Sequence, residues 1–185
     1  MTADLPGSPA STDFPGEIRL VTRRVDHRDS TTLLRAFFRE QIERYDFADS
    51  IDLDSAEYAP PQGIFVVLYD GEQLAGCGGF RWYDRRTSTA EIKKIYLLPA
   101  MRGRGAGRIL LQWLETQATG WGAERIILET GVRNTAALDL FVRSGYRPTS
   151  GYVPGRDPVI NRAFVKALPG LGLRPIGEAQ QAIAG

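Results

Sequence analysis

The run Arg102-Gly103-Arg104-Gly105-Ala106-Gly107 holds the residues whose types and spacing most directly imply chemistry in this 185-residue chain. Glycines at alternate positions let backbone N–H groups crowd against a ligand without interference from a Cβ. The apolar run Ile95-Tyr96-Leu97-Leu98-Pro99 leads into it and Arg108-Ile109-Leu110-Leu111 leads out, a strand feeding a turn that opens a helix. A helix start gathers orphan N–H donors and about half a positive charge at one point. Such a turn suits a polyanion, and the side chains of Arg104 and Arg108 can add charge-assisted bonds to phosphate oxygens.

Two familiar phosphate loops fail on spacing. A Walker A loop needs Lys then Ser or Thr after its last glycine, whereas Gly107 is followed by Arg108-Ile109. A dinucleotide fingerprint finds an acid, Glu129, about 20 residues on, as a ribose contact would require. However, it needs a small residue where Arg108 or Leu110 stands, so both registers break. The single cysteine, Cys77, and the single histidine, His27, cannot build a zinc site, and no metal is expected. Cys77 in Ala75-Gly76-Cys77-Gly78-Gly79 reads as a buried, inert thiol, and His27 as a surface residue at a helix start.

These residues must be positioned by a particular order of elements. Ile18, Leu20 and Val25 suggest a first strand. Leu33, Leu34, Phe37, Phe38, Ile42 and Tyr45 then recur at helical spacing after an Asp29-Ser30 cap. A weaker helical piece is expected over Phe47 to Tyr58, closed by Pro60-Pro61. Gly63 to Tyr69 is a buried-type strand, Asp70-Gly71 a hairpin signal returning the chain through Leu74 to Trp82, and Ser88 to Leu98 a third antiparallel strand. A helix follows from about Arg104 to Thr119, then a strand over Glu124 to Thr130 and a helix capped by Asn134. Strands near Tyr146 to Tyr152 and Ile160 to Leu168 complete an α+β order.

Length and composition fit one soluble domain over residues 17–168, with tails at 1–16 and 169–185. A net charge of +1 demands neither nucleic acid nor an anionic membrane surface as partner. The N-terminal stretch lacks an apolar signal core and no run approaches a membrane span, so a cytoplasmic location is expected.

The strand ending Leu97-Leu98-Pro99, the turn Arg102 to Gly107, and Asn134-Thr135-Ala136-Ala137-Leu138-Asp139-Leu140-Phe141 running into Ser144-Gly145-Tyr146 together resemble the GNAT superfamily of acyl-CoA-dependent N-acyltransferases. The family's pattern, Arg or Gln, two residues, Gly, one residue, Gly or Ala, is met by Arg102, Gly105 and Gly107. The resemblance spans essentially the whole expected domain. It implies a mixed, mostly antiparallel sheet of about seven strands with about four helices, splayed between the fourth and fifth strands. Acetyl-CoA is the implied cosubstrate, and many relatives form homodimers.

The resemblance also assigns roles. Coenzyme A pyrophosphate falls to Arg102, Gly103, Arg104, Gly105, Ala106, Gly107 and Arg108. Main-chain groups near Tyr96, Leu97 and Leu98 pair with pantetheine and the thioester carbonyl, and Asn134, Ala137 and Phe141 border the same ligand. Glu91 stands where the histone-acetylating branch keeps its catalytic glutamate, with Asp84 and Glu129 as weaker candidates for the base. The family's general-acid tyrosine is replaced by Phe141, which leaves Tyr96, Tyr146 and Tyr152 as substitutes. The acceptor site is expected between the first helix, the Trp82 to Thr87 turn and the Tyr152 to Asp157 loop. Arg81, Arg85 and Arg86 form either a carboxylate clamp or a solvated hairpin end. The implied reaction is acetyl transfer to the primary amine of a small molecule, an amino acid, amine metabolite or antibiotic. The alternatives are a protein or peptide N-acetyltransferase and a non-catalytic acyl-CoA sensor.

Overall fold

A computed structural model describes residues 17–46 and 53–169. The expected tails, save Pro169, lie outside the described residues. The elements run β1 (Ile18–Thr22), α1 (Arg28–Tyr45), β2 (Gly63–Asp70), β3 (Gln73–Asp84), β4 (Thr89–Leu97), α2 (Ala106–Gly120), β5 (Arg125–Gly131), α3 (Thr135–Arg143), β6 (Arg147–Thr149) and β7 (Asn161–Ala167), with one-turn 3-10 helices at Arg85–Thr87 and Pro99–Met101. They form one seven-stranded sheet of order β1-β2-β3-β4-β5-β7-β6. The pair β4-β5 is parallel and the other pairs are antiparallel.

Alternation along β2 sends Ile64 and Val66 to one face and Phe65, Val67 and Tyr69 to the other, so the strand reads as continuously apolar because both faces are covered. On one face Leu33, Leu34 and Phe38 of α1 pack on Phe65, Val67, Cys77 and Tyr96. On the other, Leu110, Leu111 and Leu114 of α2 and Phe141 of α3 pack on Phe80, Ala90, Ile92, Ile126 and Leu128. Cys77 is a buried thiol, and burial pushes its pKa far up, so it stays protonated and inert.

The α+β class and the strand order follow the expectation, with local differences. Three α-helices are described; residues 53–62 form turns, and the rest of the expected helix over Phe47 to Tyr58 lies outside the described residues. Helix α1 is capped by His27, whose Nδ1 accepts from the Asp29 N–H, because Asp29 already belongs to the first turn. Strand β6 stops at Thr149, so Tyr152 sits in the β6-β7 loop. Among the described residues, no helix is long and apolar enough to cross a membrane, and no group of three or more His, Cys, Asp or Glu side chains comes together as metal ligands.

Candidate active site

The sheet opens where β4 and β5 part. The two strands pair only over Thr89, Ala90 and Glu91 against Arg125, Ile126 and Ile127. Beyond Glu91, β4 bulges: Lys94 has φ of 59°, and its register with β3 shifts by one residue between Cys77 and Gly79. A non-glycine residue in the left-handed region is costly, and such strain collects where function re-aims a strand. Leu98 donates its N–H to the Ala75 carbonyl, which places that residue's polar groups toward β3. Strand alternation therefore turns the N–H and C=O of Leu97, and of Ile95 two residues back, toward the opening.

Next to this edge lies a groove of about 460 Å³, bounded by Phe37, Glu40, Tyr96, Leu97, Arg102 and the glycine turn among others. Gly103 and Gly105 take φ of 73° and 87°, conformations that an L side chain adopts only with strain. Gly105 is the N-cap of α2, so Ala106 and Gly107 carry N–H groups that precede the first intrahelical bonds. Ala106, expected at the phosphate, is fully buried and does not line the groove.

The expected phosphate residues divide. Gly103, Gly105, Gly107 and Arg108 line the groove. Arg104 turns away, its Nη1 lying 3.7 Å from Met101 Sδ and 4.0 Å from the Asp70 carboxylate. Arg102 bends back over the strand end, donating from Nε and Nη2 to the Leu97 carbonyl at 3.0 and 2.9 Å and from Nη2 to Glu40. Burial pushes the Glu40 pKa up, but hydrogen bonding and charge from Arg102 and Arg44 outweigh it and hold the carboxyl below its ordinary range. Of the main-chain groups expected to await a ligand, the Leu98 N–H is thus already used by Ala75 and the Leu97 carbonyl by Arg102. Ile95 joins this edge although the sequence did not single it out.

A second cavity, of about 120 Å³, adjoins the groove and shares Phe37, Gln41, Arg44, Ile95, Asn134 and Ala137 with it. At its floor lies Glu91, a side chain 2% exposed. Glu91 Oε2 accepts from Arg81 Nε at 2.9 Å, and Oε1 accepts from Lys93 Nζ at 3.2 Å and from the Tyr152 hydroxyl at 3.0 Å. Burial and then the Glu91 carboxylate push the Tyr152 phenol far up, so it stays protonated and donates. The β6-β7 loop that carries Tyr152 is held over the cavity by this bond, by a T-shaped contact with Tyr83, and by Arg156 beside Glu129 at 3.5 Å.

The remaining expected residues have other surroundings. Asn134 caps α3 through the Ala137 N–H and donates to Thr130, and it borders both spaces. Phe141 edges the cavity but is a core residue, packed on Tyr146 and Phe164. Tyr146 is buried in that same core. Tyr96 lines the groove beneath the Arg102 guanidinium, and burial and then the Glu40 charge raise its pKa. Asp84 is the N-cap of the turn at Arg85–Thr87. The arginines of that hairpin do not form a clamp: Arg81 bonds Glu91 and Glu57, Arg85 lies over Trp82 and bonds the Pro61 carbonyl, and Arg86 bonds Asp84.

Known proteins agree with this geometry. The model of the Acetyltransferase (GNAT) family matches residues 29–146. An IAA acetyltransferase of Azospirillum brasilense is 31% identical over 108 residues, which cover 58% of this chain and 70% of that protein. Among solved structures, an acetyltransferase of the GNAT family from Staphylococcus aureus superposes with a TM-score of 0.64 at 19% identity, over 83% of this chain and all of the other. A spermidine N-acetyltransferase of Vibrio cholerae, in complex with CoA and spermine, superposes with a TM-score of 0.61 at 16% identity, over 80% of this chain and 95% of that one. With the glycine turn, the parted strands and the matched sequence all coinciding, the chain belongs to the GNAT family of acetyltransferases.

Proposed function

We propose that this protein transfers the acetyl group of acetyl-CoA to the primary amine of a small molecule, by direct attack while both are bound. The observation that carries this reading is the junction of the two spaces: a long groove on the glycine turn meets a small cavity at the parted strands. At about 120 Å³ the cavity is smaller than a drug-sized pocket of roughly 300–1,000 Å³, which favours a small acceptor over a folded surface.

The groove fits coenzyme A. The N–H groups at the start of α2 and the Arg108 side chain would hold the pyrophosphate, and the open edge of β4 with Asn134 would pair with the pantetheine arm. Acetyl-CoA supplies an acyl thioester activated toward amines. The N–H groups of Ile95 and Leu97 face the opening and would bond an acyl oxygen as its charge grows.

A lysine-like acceptor, with a pKa of about 10.4, must lose a proton before attack. We assign its removal to Glu91, which lies at the cavity floor and retains lone-pair capacity beside its three donors. Tyr96 is the donor for the leaving sulfur, because it lines the groove and burial together with the neighbouring Glu40 carboxylate keeps it protonated.

Binding without transfer is a second reading, favoured by Phe141, which places a ring with no hydroxyl where many relatives keep an acid. Release of CoA thiol from acetyl-CoA over a panel of primary amines tests the proposal. Turnover on a small amine supports it; tight acetyl-CoA binding with no turnover on any amine selects the second reading.

A further inference from the structure

Resting on that reading, we infer that the site acetylates the protein itself: Lys93, whose ammonium is bonded to the proposed base, is an internal acceptor for the acetyl group of acetyl-CoA. Of the chain's 23 lysine and arginine side chains only three are lysines, Lys93, Lys94 and Lys166. A guanidinium stays protonated and does not attack a thioester, so these three carry the side-chain amines of the chain. Lys93 and Lys94 line the small cavity. Lys166 borders neither space; its ammonium is bonded to Glu115 at 2.8 Å and lies 5.4 Å from the Tyr146 ring centroid. The Lys94 ammonium is buried 5.0 Å from the Phe38 ring centroid.

Lys93 differs from both in what it touches. Its Nζ donates to Glu91 Oε1 at 3.2 Å, the bond that an external amine needs in order to lose a proton. Arg81 and Tyr152 donate to the same carboxylate, so Lys93 is the amine among its partners. Ile95, whose N–H faces the opening, lies two residues further along β4, about 7 Å at the rise of an extended strand. The Lys93 side chain, 23% exposed in a cavity that adjoins the groove, has a flexible four-carbon stem that reaches across that distance. In the transfer its nitrogen bonds the acyl carbon and the carbon–sulfur bond breaks, the electron pair leaving on sulfur. Of the two protons that the ammonium loses, one ends on the CoA sulfur and one passes through Glu91 to water. The product is an uncharged amide that places an acetyl group in a cavity of about 120 Å³. The acetylated protein is therefore slower toward external amines, and those amines, which need the same carboxylate, suppress the modification.

Incubating the full chain with acetyl-CoA and no added amine, then measuring intact mass and mapping peptides over time, tests this directly. Lys93 should take up one acetyl group, about 10²-fold or more faster than Lys166, the contribution of a positioned base. E91Q should slow the labelling of Lys93 by a similar factor and leave that of Lys166 unchanged, while K93R should abolish the fast phase; titration of CoA into each variant checks that its groove is intact. An amine that the wild-type protein turns over should slow the labelling of Lys93 when added with acetyl-CoA. Turnover of amines with Lys93 unlabelled, labelling of Lys93 no faster than of Lys166, a fast phase that falls on Lys94 instead, or one that survives E91Q overturns the inference while leaving acetyl transfer standing. Acetyl-CoA binding with neither Lys93 nor any amine acetylated overturns both.

Discussion

Replacing Gly105 by alanine isolates the backbone contribution of the phosphate turn. Gly105 has φ of 87°, and a Cβ built there meets no atom within 4 Å, so the substitution adds no clash. The whole effect is conformational: an L residue in the left-handed region costs about 1–2 kcal/mol relative to glycine. If the turn keeps its shape, that cost appears as lost stability; if it relaxes, the N–H groups lose their aim and the cost appears as lost affinity. The two losses together should sum to about 1–2 kcal/mol, which as affinity alone is about 5- to 30-fold in Kd. Gly107→Ala is the matched control. It has no positive φ, and its added Cβ would sit 3.3 Å from Leu140 Cδ2 and 3.4 Å from Leu97 Cδ1, ends of side chains that can yield by tenths of an ångström. Alanine also gains up to about 1 kcal/mol of helix propensity there, so G107A should fall within about 1 kcal/mol of wild type in either direction. Urea unfolding and calorimetric titration of CoA, done on both variants, give the sums. Unchanged stability and affinity in G105A, or a larger loss in G107A than in G105A, would refute the reasoning.

Glu91→Gln should lower kcat/KM by about 10²- to 10⁴-fold with CoA affinity retained, and an unchanged rate would remove Glu91 as the base. Glu91→Ala should in addition cost about 3 kcal/mol in unfolding, because it leaves a buried void and takes the acceptor from Lys93 and the Tyr152 hydroxyl, while Arg81 keeps only Glu57. Tyr96→Phe should lower kcat, and wild-type activity should show no alkaline loss below pH 10, since the Tyr96 pKa lies above its ordinary 10.0; Tyr152→Phe should instead raise the acceptor KM by loosening the loop over the cavity. Glu40 titrates below its ordinary 4.5, so it stabilises the fold above that pH and the contribution is lost as the pH falls through the lowered value. E40Q should therefore flatten urea midpoints measured from pH 6 down to pH 3, and a parallel pH profile would contradict this. Cys77 should resist alkylation in the native protein and react only on unfolding, as mass spectrometry after iodoacetamide would read.

What could be read from the sequence tracks how local each determinant is. The glycine turn was legible because Gly103 and Gly105 encode their own positive φ, and α1 because its apolar residues repeat at helical spacing. Lys94 shares that left-handed geometry, yet lysine is no signal for it; the bulge arises from pairing β4 with β3. The partners of Glu91 show the same gradient. Lys93 is two residues away and visible in the sequence, Arg81 is its cross-strand partner once the register is known, and Tyr152 arrives from a loop 61 residues on. The sequence left the arginines near Trp82 open between a ligand clamp and a solvated hairpin end, because composition cannot tell a free guanidinium from one already used by Glu91, Glu57 or the Pro61 carbonyl.

Arg102 joins these strands of reasoning. As the first residue of the family pattern it was expected to serve phosphate, but its guanidinium is fastened to Glu40 of α1, 62 residues away, and covers the Leu97 carbonyl. That capture changes what the open edge of β4 offers. With the Leu97 carbonyl satisfied from within and the N–H groups of Leu97 and Ile95 turned outward, the opening presents donors more than acceptors. A ligand that gains negative charge on oxygen is favoured by such an edge, and one whose N–H groups seek acceptors there is not. On the proposed reading the glycine turn holds the polyanion, and the Glu40–Arg102 tie between α1 and the end of β4 would bias the adjoining strand toward an acyl oxygen.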